Sequence, residues 1–210
     1  MNSQACEAHR KELLRFLLCK TAPVRGGVKP GELLRVRHCY RSCSPEGNHL
    51  CLYRGRIFAL LKLDYLELRR ERDSSLVLFY HKEALCTVLA HPENQAVLGP
   101  HGYPFCGPIE LFLDVLKQRF RSEHIPHEVG AFLGYPAKDV LGFIGKLPKT
   151  PVSGGNWQVF GDAGESVARM QLYRRVERMA RNLLDRSDNL EIFFNHLTKF
   201  YRKDRRLANG

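Results

Sequence analysis

Tyr65-Leu66-Glu67-Leu68-Arg69-Arg70-Glu71-Arg72-Asp73-Ser74-Ser75-Leu76-Val77-Leu78-Phe79-Tyr80 decides the fold class. The first half alternates, with Leu66 and Leu68 on one face and Tyr65, Glu67 and Arg69 on the other, which is the period of a half-covered strand. Arg72-Asp73-Ser74 supplies turn chemistry. Leu76 to Tyr80 is a continuous apolar run suited to a covered strand. The stretch reads as a hairpin, and most of what surrounds it reads as helix.

Upstream, Leu13, Leu14, Leu17 and Leu18 recur at helical spacing, predicting a helix over 7–19. Gly26, Gly27, Pro30 and Gly31 punctuate a loop, Leu33 to Arg37 suits a short strand, and 39–51 is polar and turn-rich. Residues 56–63 fit a buried helix or the lead into a strand. Downstream, a helix is expected over 82–90, closed by Pro92 and the Gly99–Gly102 cluster. Another starts at Pro108, where the missing N–H costs nothing, and carries Ile109, Phe112, Leu113, Leu116 and Phe120 to about 121. Pro126 opens a short helix whose first turn places Glu128 at the positive end of the helix dipole. Gly134 is a left-handed terminator, with Pro136 opening the next helix through 145. Residues 148–156 form a Pro/Gly/Ser loop, 157–160 a short strand, and 165–184 and 189–201 two basic helices. The expected class is α+β: a small sheet with a hairpin, packed by several helices, with a predominantly helical C-terminal half. Residues 1–210 read as one domain, with a basic helical segment over 163–210 and a tail fraying from about 203.

Apolar residues make up 44% and charged residues 26%, an ordinary globular balance that argues against extended disorder. The formal charge is +11, and 169–210 alone holds eleven Lys or Arg against five Asp or Glu. Such a surplus favours polyanions through counterion release, whether or not binding them is the function. No apolar run approaches the length of a membrane span, and the N-terminus lacks the pattern of an export signal, so a cytoplasmic location is expected. The seven cysteines are an odd number without a Cys-x-x-Cys pair, which favours reduced thiols over a disulfide framework. His38, Cys39, Cys43, His49 and Cys51 cluster in sequence, but structural zinc sites show tighter paired knuckles, so no metal is expected.

Pro126-His127-Glu128-Val129-Gly130-Ala131-Phe132-Leu133-Gly134-Tyr135-Pro136, continuing through Asp139-Val140 and Gly142-Phe143-Ile144, resembles the signature of the DUF3793 family, approximately Pro-His-Glu-Ile-Gly-x-Phe-Leu-Gly-Tyr-Pro-x-x-Asp-Val. Val129 replaces an isoleucine. Gly27-Val28-Lys29-Pro30, the Leu76–Tyr80 strand, Gly102-Tyr103 and Trp157-Gln158-Val159-Phe160-Gly161-Asp162 are also similar. In the last, Gln158 stands for the family's lysine and Phe160 for its tyrosine, so neither side chain is essential in both forms. The resemblance spans about residues 15–185. It implies a bacterial protein and carries no activity with it.

The chemistry must be weighed residue by residue. His127-Glu128 lacks the second histidine four residues on that a zinc-protease helix needs; that position is Ala131. On one helix, His127 would share a side with Gly130, Ala131 and Gly134, a low-bulk face open to a backbone or a flat ligand. Val129, Phe132 and Leu133 form the core face. Capping and backbone bonding are the ordinary roles for His127 and Glu128; ligand binding, with Tyr135 and Asp139 nearby, is the functional one. Cys106, before the Pro108 helix, is a candidate thiol, and a Cys–His pair with His127 would require the fold to join them. Lys29 is a candidate anion contact, although Pro30 and Gly31 after it break the phosphate-loop pattern. Trp157, the only tryptophan, suits packing or stacking on a ring. Arg174, Arg175, Arg178 and Arg181 make a stripe suited to solvent or to phosphates. The leading expectation is a domain binding a small ligand or protein partner at the His-Glu…Gly-Tyr-Pro motif and Trp157. The alternatives are an enzyme using His127 or Glu128 as acid or base, and a nucleic-acid accessory protein acting through the C-terminal helices. The cofactor is unknown.

Overall fold

The computed structural model describes residues 3–37, 49–145, 151–153, 155–187 and 189–208. The apolar hairpin strand is its centre. Strand β1 (Gly31–Arg37), strand β2 (Asp64–Arg70) and strand β3 (Ser74–Tyr80) form an antiparallel sheet in the order β1-β3-β2. Because β3 lies in the middle, both of its faces are covered, which is why its residues do not alternate in polarity.

The two faces feed two cores. Val77 and Phe79 join Leu34 and Val36 of β1 against four helices: α1 (Ser3–Arg25), α2 (His49–Leu61), α8 (Gly164–Arg186) and α9 (Leu190–Ala208). Leu76 and Leu78 point the other way, into a cluster with Leu85 and Leu89 of α3 (Lys82–Leu89), Phe112 and Leu116 of α5 (Ile109–Arg119), and Phe132 of α6 (Val129–Phe132). The sheet is thus sandwiched between helical layers, an α+β arrangement. A third, small cluster joins Val97 of α4 (Pro92–Leu98) to Ala137 and Val140 of α7 (Ala137–Phe143). A 3₁₀ turn (Gly99–His101) follows α4, and strands β4 (Pro151–Ser153) and β5 (Val159–Phe160) make a separate two-stranded ribbon.

Several elements depart from the pattern-based expectations. Helix α1 does not stop near residue 19 but passes through Pro23 to Arg25. Burial of Ala22 and Val24 offsets the missing hydrogen bond. The alternation of β2 is interrupted between Glu67 and Arg69 by a register shift. A bulge of this kind turns the following side chain to the other face. Arg69 consequently leaves the side of Tyr65 and donates Nη1 to the carbonyls of Ser122 and Glu123, at 2.8 Å each. The helix expected from Pro126 is shorter than its pattern: α6 is one turn, preceded by overlapping four-residue turns that start at Pro126, His127 and Glu128. Helix α9 extends into the stretch expected to fray. No helix among the described residues is long and apolar enough to cross a membrane. The His38, Cys39 and Cys43 members of the zinc alternative lie outside the described residues, as do the side chains of His49 and Cys51.

Glycine decides how closely α7 meets β5. A Cβ on Gly142 would fall 2.3 Å from Cγ of Phe160. We expect Gly142→Ala to lower the unfolding free energy in urea by roughly 1–3 kcal/mol, the usual range for overpacking. Gly55→Ala, where a Cβ meets nothing within 4 Å, should leave it at or above wild type.

Candidate functional site

Three segments converge around α6: the chain from 120 to 128, the turn into α7, and the ribbon with the start of α8. Gly134 has φ +74°, the left-handed terminator expected from the sequence. A side chain there would meet Pro30 Cδ at 2.6 Å and the Tyr173 hydroxyl at 2.9 Å. The Gly134 carbonyl accepts from Arg169 Nη1 (3.0 Å) and Tyr173 Oη (3.3 Å), tying the turn to α8. Gly130 is equally hemmed in, since a Cβ would reach Val140 Cγ2 at 2.9 Å and Tyr135 Cδ2 at 3.1 Å. The small-residue side of the motif therefore meets its own chain at these positions.

Asp139 is buried and saturated. Its carboxylate accepts from Lys138 Nζ (2.8 Å), Trp157 Nε1 (2.8 Å), the Phe160 amide (2.9 Å) and Ser166 Oγ (2.6 Å). Burial alone would raise its pKa, but these donors outweigh burial and hold the carboxyl below its ordinary value. The same bond orients Trp157, which stacks on Tyr135 with centroids 4.3 Å apart and planes 18° from parallel. Burial, with the Glu32 charge acting in the same direction, raises the pKa of the Tyr135 hydroxyl.

His127, Gly130, Tyr135, Asp139 and Trp157 line one cleft of about 500 Å³, together with Leu33, Val140, Phe143 and Gln158. Its lining is mainly apolar and aromatic, the common make-up of a small-molecule site. The His127 ring is exposed and meets Phe143 edge-on, with centroids 4.8 Å apart. Glu128 faces away from this cleft. It makes no side-chain cap at the helix start, contrary to the dipole-based expectation. Its buried carboxylate instead accepts from Arg119 Nε at 2.7 Å, with Tyr103 Oη at a long 3.5 Å. An unpaired buried carboxylate costs more than a helix dipole returns, so the nearby guanidinium wins.

The remaining candidates lie elsewhere. Lys29 is buried behind Gly134, paired with Glu32 at 2.5 Å and placed over the Tyr173 ring. Burial pushes the Glu32 carboxyl up while Lys29 opposes it, and burial raises the Tyr173 hydroxyl to about 12. The ε-ammonium is thus committed to the interior. Cys106 is exposed and lines a separate apolar groove with Cys86, a groove that shares no residue with the cleft of His127, so the Cys–His pair is not formed. Arg174, Arg175, Arg178 and Arg181 are exposed along α8; Arg174 donates to Asn156 Oδ1 (3.0 Å) and Arg175 covers the Phe200 ring. No group of three potential metal ligands exists among the described residues. Arg119, Tyr103, Lys138 and Ser166 are partners that the sequence pattern does not mark. Each lies far along the chain from its acceptor or has an unremarkable local pattern, so sequence offered no signal for them.

A family model described as a protein of unknown function (DUF3793) matches residues 17–193. No curated protein and no solved structure matches the chain.

Asp139→Ala leaves buried donors unsatisfied and should destabilise the protein at pH 7 by roughly 3–5 kcal/mol in urea unfolding. The depressed carboxyl pKa also sets a pH dependence. Its stabilisation is complete above the unfolded aspartate value of about 3.9 and decays as pH falls through the lower folded value. Asp139→Asn, which has no proton to take up, should therefore lose less stability than wild type between pH 5 and pH 2 (from about one unit above to about two units below that unfolded value).

Proposed function

The chain belongs to the DUF3793 family, and on that premise we propose that it is a ligand-binding domain whose site is the cleft between α6, α7 and Trp157. One observation carries the reading: residues scattered over 125 positions, from Leu33 to Gln158, line a single apolar cleft whose aromatic wall is held in place from behind. Trp157 is oriented by Asp139 and stacked by Tyr135, so the wall exists before any ligand arrives. Preorganisation of this kind lowers the ordering cost of binding. The family motif is thereby divided by role. Gly130 and Gly134 allow close packing, Asp139 braces, and His127, Tyr135 and Trp157 face the ligand.

Binding is favoured over acid–base catalysis because both motif carboxylates are occupied, and His127, the other acid–base candidate, meets the Phe143 ring edge-on. Glu128 is engaged by Arg119, and Asp139 by four donors. A general base needs a lone pair within reach of substrate, and neither carboxylate offers one to the cleft as arranged. In the same reading the protein is bacterial and cytoplasmic. The exposed arginines of α8 raise the local potential for anions without forming a nucleic-acid-reading element.

Trp157 is the only tryptophan in the chain, so the cleft contains its own fluorophore. The neutral probe N-phenyl-1-naphthylamine should bind saturably, with energy transfer from Trp157. Leu33→Phe, which fills the cleft from its half-buried edge, should weaken that binding about tenfold, or about 1.4 kcal/mol, with unchanged circular dichroism. Equal binding by wild type and Leu33→Phe would remove the cleft as the site.

A further inference from the structure

A second cavity, of about 640 Å³, adjoins the cleft, and the two share Ile125, Pro126 and His127 as a common wall. Their linings differ sharply. The cleft is aromatic and aliphatic, whereas the second cavity gathers His101, Arg119, His124 and His127, with Gln118 beside them. Among the described residues that line it, the one carboxylate, Glu128, is buried and engaged by Arg119 Nε. The described lining is therefore rich in donors and carries no unmatched negative charge.

The donors are also braced. Arg119 is anchored by Nε, which leaves the outer end of its fork at the cavity, where Nη2 lies 3.3 Å from His101 Nδ1. The turn bearing His124 is tied from two sides. Arg69 holds the carbonyls of Ser122 and Glu123, and Ser122 Oγ lies 3.1 Å from the carbonyls of both Arg119 and His124, which share its one proton. A fixed guanidinium fork flanked by imidazoles is a recognised means of holding a carboxylate or phosphate. No group of three potential metal ligands exists among the described residues, and each imidazole N–H can donate to an anion. The net charge of +11 draws small anions toward the whole surface.

We propose that the two cavities act as one bipartite site for a small amphipathic anion. Its flat apolar body lies in the cleft by Tyr135 and Trp157, and its carboxylate or phosphate lies among Arg119, His124 and His127. His127, on the shared wall, marks the boundary between the two parts. This rests on the reading of the cleft as a binding site and adds the class of ligand.

Calorimetric titration of the full chain with 2-naphthol, 2-naphthoate and 2-naphthyl phosphate tests it. The three share one apolar body and differ in head group. At least one anion should bind about tenfold or more tightly than 2-naphthol, and the stronger of the two identifies the head group as carboxylate or phosphate. In a His124→Gln variant, at an exposed position that lines the second cavity and not the cleft, that advantage should shrink about threefold or more while 2-naphthol binding persists. Equal affinities for all three compounds, or an anion advantage unchanged by His124→Gln, would overturn the bipartite site and leave the cleft intact. Binding by none of the three would overturn the cleft as well.

Discussion

A carboxylate shut away from water must be matched by donors, and Asp139 satisfies that demand by drawing together parts of the chain far apart in sequence. Its four bonds reach the neighbouring Lys138, the ribbon at Trp157 and Phe160, and the first turn of α8 at Ser166. That carboxylate, together with Lys138 donating to the Phe160 carbonyl (3.0 Å) and to Ser166 Oγ (2.9 Å), joins α7, the ribbon and α8 in one polar network. With it, the tryptophan is aimed, Tyr135 has a ring to stack on, and the cleft acquires a wall.

The second organising constraint is the covered strand. Val77 and Phe79 serve one core and Leu76 and Leu78 the other, so one short strand anchors both helical layers. The glycines then set how near the layers come. Gly31 lies so close to α6 that a Cβ would sit 2.8 Å from the Phe132 carbonyl oxygen, and Gly134 admits Pro30 and Tyr173. These contacts seat the motif helix against the edge strand β1, which is how Leu33 comes to line the same cleft as Trp157. Packing and site are one arrangement seen from two sides.

Much of the motif's density turns out to be structural, and the reason differs by residue. Gly130 and Gly134 are small because other side chains occupy the space beside them. Glu128 is acidic because Arg119 and Tyr103 stand opposite it, not because a helix begins there. Lys29 balances a buried glutamate. What remains directed outward is a short set of rings, His127, Tyr135 and Trp157, at the junction of an apolar and a polar cavity.

Local pattern was enough for the α+β class, the hairpin, the apolar centre of the sheet, the left-handed Gly134 and the basic C-terminal helices. Each follows from side-chain periodicity or from a backbone angle that one residue type tolerates, and both are properties of a few neighbours in the chain. The same logic overextended the helix at Pro126 and placed Arg69 on the wrong face, because a bulge and a chain of overlapping four-residue turns answer to tertiary contacts rather than to spacing. The partners of Glu128 and Asp139, the separation of Cys106 from His127, and the meeting of Leu33 with Trp157 depend on distances in space between residues up to 124 positions apart. Sequence determined which residues were unusual; only the folded chain decided which of them bear the structure and which line a cavity, because burial and charge pairing are settled by what lies opposite a side chain.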